Sequence, residues 1–222
     1  MGNDMQLENG ALVVRPVDAA LKINEVAEKI ICGIMDSGEL NVVGIGSGIY
    51  LACASINFAK DIANVHINEI SIDYLDVPGQ GKTEVVSSML SSKDGAPDIA
   101  KLVADEELDM TLSTGREGQV VSVGRGTSPD TLLTLMLIKF ASFRKLKIVA
   151  AGGSINDAAS IALKLCKGGI SKEAIGIDLI DLYPIEMRND PTKKITAISI
   201  YLKKGAPTQY SERHLELLKK IT

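Results

Sequence analysis

The chain has 222 residues, 45 % of them hydrophobic and 23 % charged, an ordinary globular balance with room for one large or two small domains. No apolar run reaches the roughly 18 residues of a membrane span, the opening MGNDMQLENG is polar, and Cys32, Cys53 and Cys166 lack the spacing of a disulfide framework or zinc site, so we expect a cytoplasmic protein with no membrane partner. The net charge of −4 is unevenly divided: residues 1–110 hold 7 Lys and Arg against 18 Asp and Glu, giving −11, whereas residues 111–222 hold 17 against 10, giving +7.

Read in chain order, ALVV at 11–14 is a short strand leading to a loop with Arg15 and Pro16, which closes on Asp18, a residue suited to N-cap a helix. Leu21, Val26, Ile30 and Ile34 recur at helical spacing and predict a helix with one buried face. Residues 40–45 form a second strand that enters the glycine turn GIGSG at 44–48, and a second helix covers about 49–63. NEISIDYLDVP at 68–78 and TEVVSSMLSSK at 83–93 read as a strand pair across a hairpin-like gap. Gly95, Ala96 and Pro97 come next, then a charged helical stretch, DIAKLVADEELDM.

The same order then returns. VVSV at 120–123 precedes a loop with Arg125 and Pro129 that closes on Asp130; an apolar run from Leu132 to Phe140, a strand from Leu146 to Ala151, the turn AAGGS and a helix over about 155–167 follow. EAIGIDLIDLYP at 173–184 and ITAISIYLKK at 195–204 form the second strand pair, followed by Gly205, Ala206, Pro207 and YSERHLELLKK. Both first strands of these pairs carry I-x-I-D-x-x-D, which sets Asp73 beside Asp178 and Asp76 beside Asp181. We therefore expect an α/β chain made of one unit written twice, two tandem β-α-β-α-β-β sandwiches with helices on one face, each followed by an extra helix. The units span 10–93 and 119–205, with a helical connection at 94–118 and a C-terminal helix at 206–222.

At VVSVGRGTSPDTLLTLMLIKF an apolar strand, a Gly-Arg loop, a proline and a helix follow one another, and on this pattern each half resembles a domain of the Alba family, archaeal DNA- and RNA-binding proteins. The resemblance covers most of both halves. It implies a nucleic-acid-binding protein whose first loops offer Arg15 and Arg125 to the backbone, and whose β-hairpin arms offer Lys82 in one half and Arg188, Lys193 and Lys194 in the other. The second loop, usually basic in that family, is here Gly46, Ser47 and Gly48 in one half and Gly152, Gly153 and Ser154 in the other. Only backbone contact to phosphate, at Gly153 and Ser154, is expected from it. The resemblance also implies that the halves pair about a pseudo-two-fold axis, an arrangement their opposite charges would favour.

GIGSG is not a dinucleotide fingerprint, because Ile49 follows Gly48 and the AAGGS copy lacks the G-x-G spacing; a tight turn is what the two copies share. Asp73 and Asp76 point to opposite faces of a strand, and the four repeated aspartates read as solvated strand-end and turn residues. His66 and His214 have no partner at ligand spacing, so neither a metal site nor a catalytic residue is assigned, and no cofactor is expected. Nucleic-acid binding through the basic second half leads; a protein-interaction or self-association module, with the acidic first half as its surface, is the alternative; an enzyme holding a nucleotide or methyl donor at GIGSG ranks last.

Overall fold

The computed structural model describes residues 7–77, 79, 81–92, 119–124, 126, 128–167, 169, 171, 173–187, 190–205 and 207–221, without the side chains of residues 19, 20, 213, 214, 217, 218 and 220. The first sheet holds β1 (Leu7–Glu8), β2 (Ala11–Val14), β3 (Glu39–Ile45), β4 (Val65–Val77) and β5 (Gly81–Ser92), in the order β1-β2-β3-β5-β4. The second holds β6 (Val120–Val123), β7 (Lys145–Ala151), β8 (Ile175–Met187) and β9 (Asp190–Lys204), in the order β6-β7-β9-β8. In each half a parallel pair, β2/β3 or β6/β7, is spanned by a helix, and an antiparallel hairpin completes the sheet. The chain is thus α/β with the same strand order twice.

The crossover helices are α1 (Ile23–Ser37) and α3 (Pro129–Ser142); α2 (Gly48–Ile62) and α4 (Ser154–Lys167) follow the glycine turns, and α5 (Glu212–Ile221) ends the described chain. Val26, Ala27, Ile30, Gly33 and Ile34 of α1 lie on one face and are buried against Leu40 and Val42 of β3, as their spacing requires. Neither predicted N-cap aspartate caps its helix. Asp18 instead closes a 3₁₀ turn, Pro16–Ala20, by accepting the Arg15 amide at 2.7 Å, and Asp130 lies inside the first turn of α3 behind Pro129. In both places proline starts the helical turn one or two residues earlier, since its fixed φ suits that position.

The repeat is also aligned differently from its most visible motif. Leu90 faces both Leu40 and Ile67, and Leu202 faces both Leu146 and Ile177, so Ile67 and Ile177 are equivalent. Each is followed by a bulge residue, Asn68 or Asp178, before pairing resumes. Asp178 therefore corresponds to Asn68, and Asp73 corresponds to Tyr183. Register is fixed by the central strand and the bulge, and a repeated Ile-Asp pair carries no information about either. Strand β8 also continues through Pro184 to Met187.

The hairpins outrun their sheets. Strand β5 pairs with β3 from Val85 to Ser91 but with β4 as far as Gly81, and β9 pairs with β7 from Ala197 to Lys203 but with β8 as far as Asp190. Gly81–Glu84 and Asp190–Thr196 thus form two-stranded arms with the ends of β4 and β8.

An apolar seam joins the halves. Ile49, Cys53, Ile72 and Val86 of the first half are at most 2 % exposed and belong to the same cluster as Ile155, Ala159, Leu163 and Ile198 of the second. Burying a side chain of Ile or Val size stabilises by about 1.5–3 kcal/mol, more than a surface charge pair contributes, so hydrophobic burial dominates this contact over the opposite net charges. The Tyr50 amide donates to Asn156 Oδ1 at 3.1 Å, and these are the third residues of α2 and α4. The bond joins equivalent positions of the two halves, so the N-terminal turns of α2 and α4 meet at the seam.

Candidate nucleic-acid interface

The glycine turns are the pivots of both halves. Gly46 has φ +52° and Gly152 φ +58°, and their amides donate to Glu84 O and Thr196 O, each at 2.9 Å, tying the turn to the base of an arm. A Cβ on Gly48 would lie 2.4 Å from Val14 O, and one on Gly44 would lie 2.7 Å from Ile49 Cα. The glycines of GIGSG are accounted for by a left-handed turn and by the close approach of α2 to β2 and β3. In the second half Ser154 occupies the place of Gly48; its side chain is buried, which leaves Gly153 as the exposed member of that turn.

The other candidates are distributed as follows. Arg15 follows β2 at the start of the 3₁₀ turn, and its guanidinium is held by both oxygens of Glu8 from β1, with Nη2 2.7 Å from Oε2. That hydrogen bond lowers the Glu8 pKa and raises that of Arg15. Strand β1 has no predicted counterpart; its signal was the Asn9-Gly10 pair, a two-residue hairpin turn. Lys82 is exposed on the first arm, directly across from Asp76. Lys193 and Lys194 are exposed on the second arm, where Lys193 lies 3.1 Å from Asp190 and Lys194 faces Glu186. Hydrogen bonds from Thr192 and Lys193 lower the Asp190 pKa. Arg125 and Arg188 lie outside the described residues. The register makes Gly124 the counterpart of Arg15, one position before Arg125. The fold therefore brings Lys193 and Lys194 together on one arm, and joins that arm's base to the turn holding Gly153.

The second arm crosses the seam. Asn57 Nδ2 lies 3.4 Å from Thr196 Oγ1, and a cleft of about 120 Å³ runs between Tyr50, Asn57, Phe58 and Asp61 of α2 and Pro184 and Lys194. The reciprocal contact sets α4 against the first arm, with Ser160 Oγ donating to Glu84 Oε1 at 2.9 Å. At the far end of α4, Lys167 forms an ion pair with Asp73, which is 7 % exposed. The expectation that Asp73 is solvated is thus overturned: α4 packs against the edge strand β4 and brings a cation to it. The Lys167 ammonium also sits 5.2 Å from the ring centroid of Tyr210, whose hydroxyl donates to Ile72 O at 2.6 Å on the same edge strand. Burial, first, and then Asp73 and Cys166 push the Tyr210 pKa up.

Burial pushes the Cys53 thiol to about 12 and that of Cys166 to about 11, so neither is a thiolate near neutrality. Among the described residues no three His, Cys, Asp or Glu side chains are grouped to hold a metal ion, and no helix is long and apolar enough to cross a membrane. Sequence reasoning missed a basic group on the second sheet: Lys145, Lys147 and Lys203, with Tyr201 among them. Its signal was the alternation of Lys145 and Lys147 with buried Leu146 and Ile148. No protein-family model matches the chain, and no curated protein is detectably similar to it in sequence.

Proposed function

We propose that the protein binds nucleic acid, DNA or RNA, through the backbone phosphates, with the second half as the principal contact, and that it is a tandem Alba-like pseudo-dimer with no catalytic role. The observation that carries this reading is the second arm, which leaves its sheet at Thr196 and holds Lys193 and Lys194 in solvent. Arg125 and Arg188 join it by sequence position, and Gly153 opens a backbone approach at the start of α4. Arg15 is engaged by Glu8, and the first arm offers one lysine, Lys82, where the second offers two, so the acidic first half contributes less. The test is a salt titration on duplex DNA and structured RNA. Neutralising three to five phosphates predicts a log–log slope of about −3 to −5 on duplex, abolished by Arg188→Glu, Lys193→Glu and Lys194→Glu together. A parent protein with no salt-dependent binding would reject this reading.

A second reading, a protein-interaction module, draws on α3. Leu135 and Ile138 are 40 % and 64 % exposed on its outward face, whereas α1, whose buried Val26, Ile30 and Ile34 match Leu132, Met136 and Phe140, has Lys29 and Cys32 at those two places. Concentration-dependent sedimentation lost on Ile138→Glu, without any effect on nucleic acid, would favour it.

A further inference from the structure

The outer face of the second sheet, turned away from its helices, is a candidate site of its own. Leu146, Ile148 and Ala150 of β7 and Leu202, Ile200 and Ile198 of β9 are buried on the helix side, so the alternate residues Lys145, Lys147, Tyr201 and Lys203 lie on the outer side. Lys145 stands directly opposite Lys203, and Lys147 directly opposite Tyr201. Lys145 and Lys203 are exposed, while Lys147 is half-buried with its ammonium 5.0 Å from the centroid of the Tyr201 ring. The only acid paired with the group among the described residues is Asp178, 3.8 Å from Lys145.

Like charges directly opposed across a ladder destabilise a sheet, so Lys145 and Lys203 carry a cost that an anion would relieve. The first half supplies an internal control. At the matching positions it has Glu39, Asn41, Met89 and Ser91 in place of Lys145, Lys147, Tyr201 and Lys203. The repulsive group is thus no requirement of the fold. The second arm, by contrast, matches its two lysines with Asp190 and Glu186. A cleft of about 300 Å³ opens beside Lys203, lined also by Gly176, Ile177, Asp178 and Gln209.

We infer that this sheet face binds single-stranded nucleic acid, with Lys145, Lys147 and Lys203 on successive phosphates and the cleft beside Lys203 receiving part of one nucleotide. The inference rests on the nucleic-acid reading above and names a surface distinct from the arm. Two residues along a strand advance about 6.7 Å, and Lys203 lies about 5 Å across, so the three cations form a compact triangle on a flat surface. A flexible single strand can be laid across such a surface so that its phosphates reach all three cations. Tyr201 holds the Lys147 ammonium over the sheet and limits its freedom before binding.

The experiment is fluorescence anisotropy of the full chain on a 20-nucleotide single strand and on a duplex of equal length, across a range of salt. Changing Lys145, Lys147 and Lys203 together to Gln should weaken single-strand binding at least tenfold and flatten its log–log slope by about 2, while changing all three to Arg should retain both. Lys203→Gln alone should raise the thermal midpoint of the free protein and yet lower its affinity, opposite signs that a purely structural role would not produce. If the triple Gln variant binds the single strand like the parent while Lys193→Glu with Lys194→Glu abolishes binding, this inference fails and the arm reading stands. If the parent binds neither nucleic acid, both fail. If the Gln variant alters only self-association, the face contacts the acidic half of a second copy and the inference is overturned.

Discussion

On the outer face of the first sheet Ala11, Val13, Val43, Ile45, Leu75 and Val85 form a buried apolar cluster with Ile221 of α5 packed against it. At the corresponding positions the second sheet has Val120, Ser122, Val149, Ala151, Ile185 and Ala197, with Val120 39 % exposed and Ser122 in solvent. The two faces have the same strand order and opposite fates. After β9 the chain crosses to the first half, anchored by Tyr210 to Ile72 O and by Ser211 to Glu69 at 2.8 Å, which brings Ile221 of α5 to the first sheet's outer face. Among the described residues the matching face of the second keeps Val120 and Ser122 exposed. A duplicated unit can thus divide its labour without changing its backbone: where a trailing helix lands, and a few alternate strand residues, decide which copy keeps a free surface.

The largest effect should be at the glycine turn. Gly48→Val should cost more than about 3 kcal/mol and risk unfolding, because its Cβ would lie 2.4 Å from Val14 O, whereas Ser154→Ala at the matching position should cost no more than about 1. Chemical denaturation of both variants checks this, and equal losses would mean that the two turns are packed alike. Next comes the one-sided ion pair. Lys167→Ala leaves Asp73 buried without its cation and should lower stability by about 2 kcal/mol, less than for a fully buried pair because Lys167 is 37 % exposed. Asp61→Ala, on the matching turn of α2, should change it by about 0.5 or less. Smaller still are the seam hydrogen bonds: Ser160→Ala should cost about 1 kcal/mol and Asn57→Ala no more, since the Asn57 bond is longer at 3.4 Å.

The smallest effect should be at Glu8, whose pair with Arg15 is exposed on both sides and contributes less than about 1 kcal/mol. The Arg15 guanidinium holds its folded pKa below the usual carboxylate range, so this contribution is complete above that range and is lost as pH falls through the lowered value. Glu8→Gln should therefore differ from the parent at neutral pH and converge with it in acid. A difference that grows as pH falls would contradict the sign.

The strand and helix order of both halves was legible because period-two and period-3.6 patterns are local, and the glycine turns were legible because they interrupt those patterns. The alignment of the repeat was not. The Ile-Asp motif is conspicuous, but the bulges at Asn68 and Asp178 shift its two copies, and a bulge is apparent only once strands are paired. Of the candidate site, the arm lysines were visible as residues in a hairpin, whereas the placing of Lys194 across from Glu186 required the register. Arg15 was legible as a loop cation, and its capture by Glu8 was hidden behind a two-residue strand.

By itself, then, the sequence determined that this chain repeats one α/β unit, that its first half is acidic and its second basic, and that its glycines mark turns. Each of these is a property of neighbours along the chain. The tertiary structure decided that Asp73 is buried beside Lys167, that an apolar seam built around Ile49, Cys53, Ile72 and Val86 joins the halves, and that three lysines share an open sheet face. Those depend on which distant residues are brought within a few ångströms, and burial, pairing and repulsion act at that range whatever the separation in sequence.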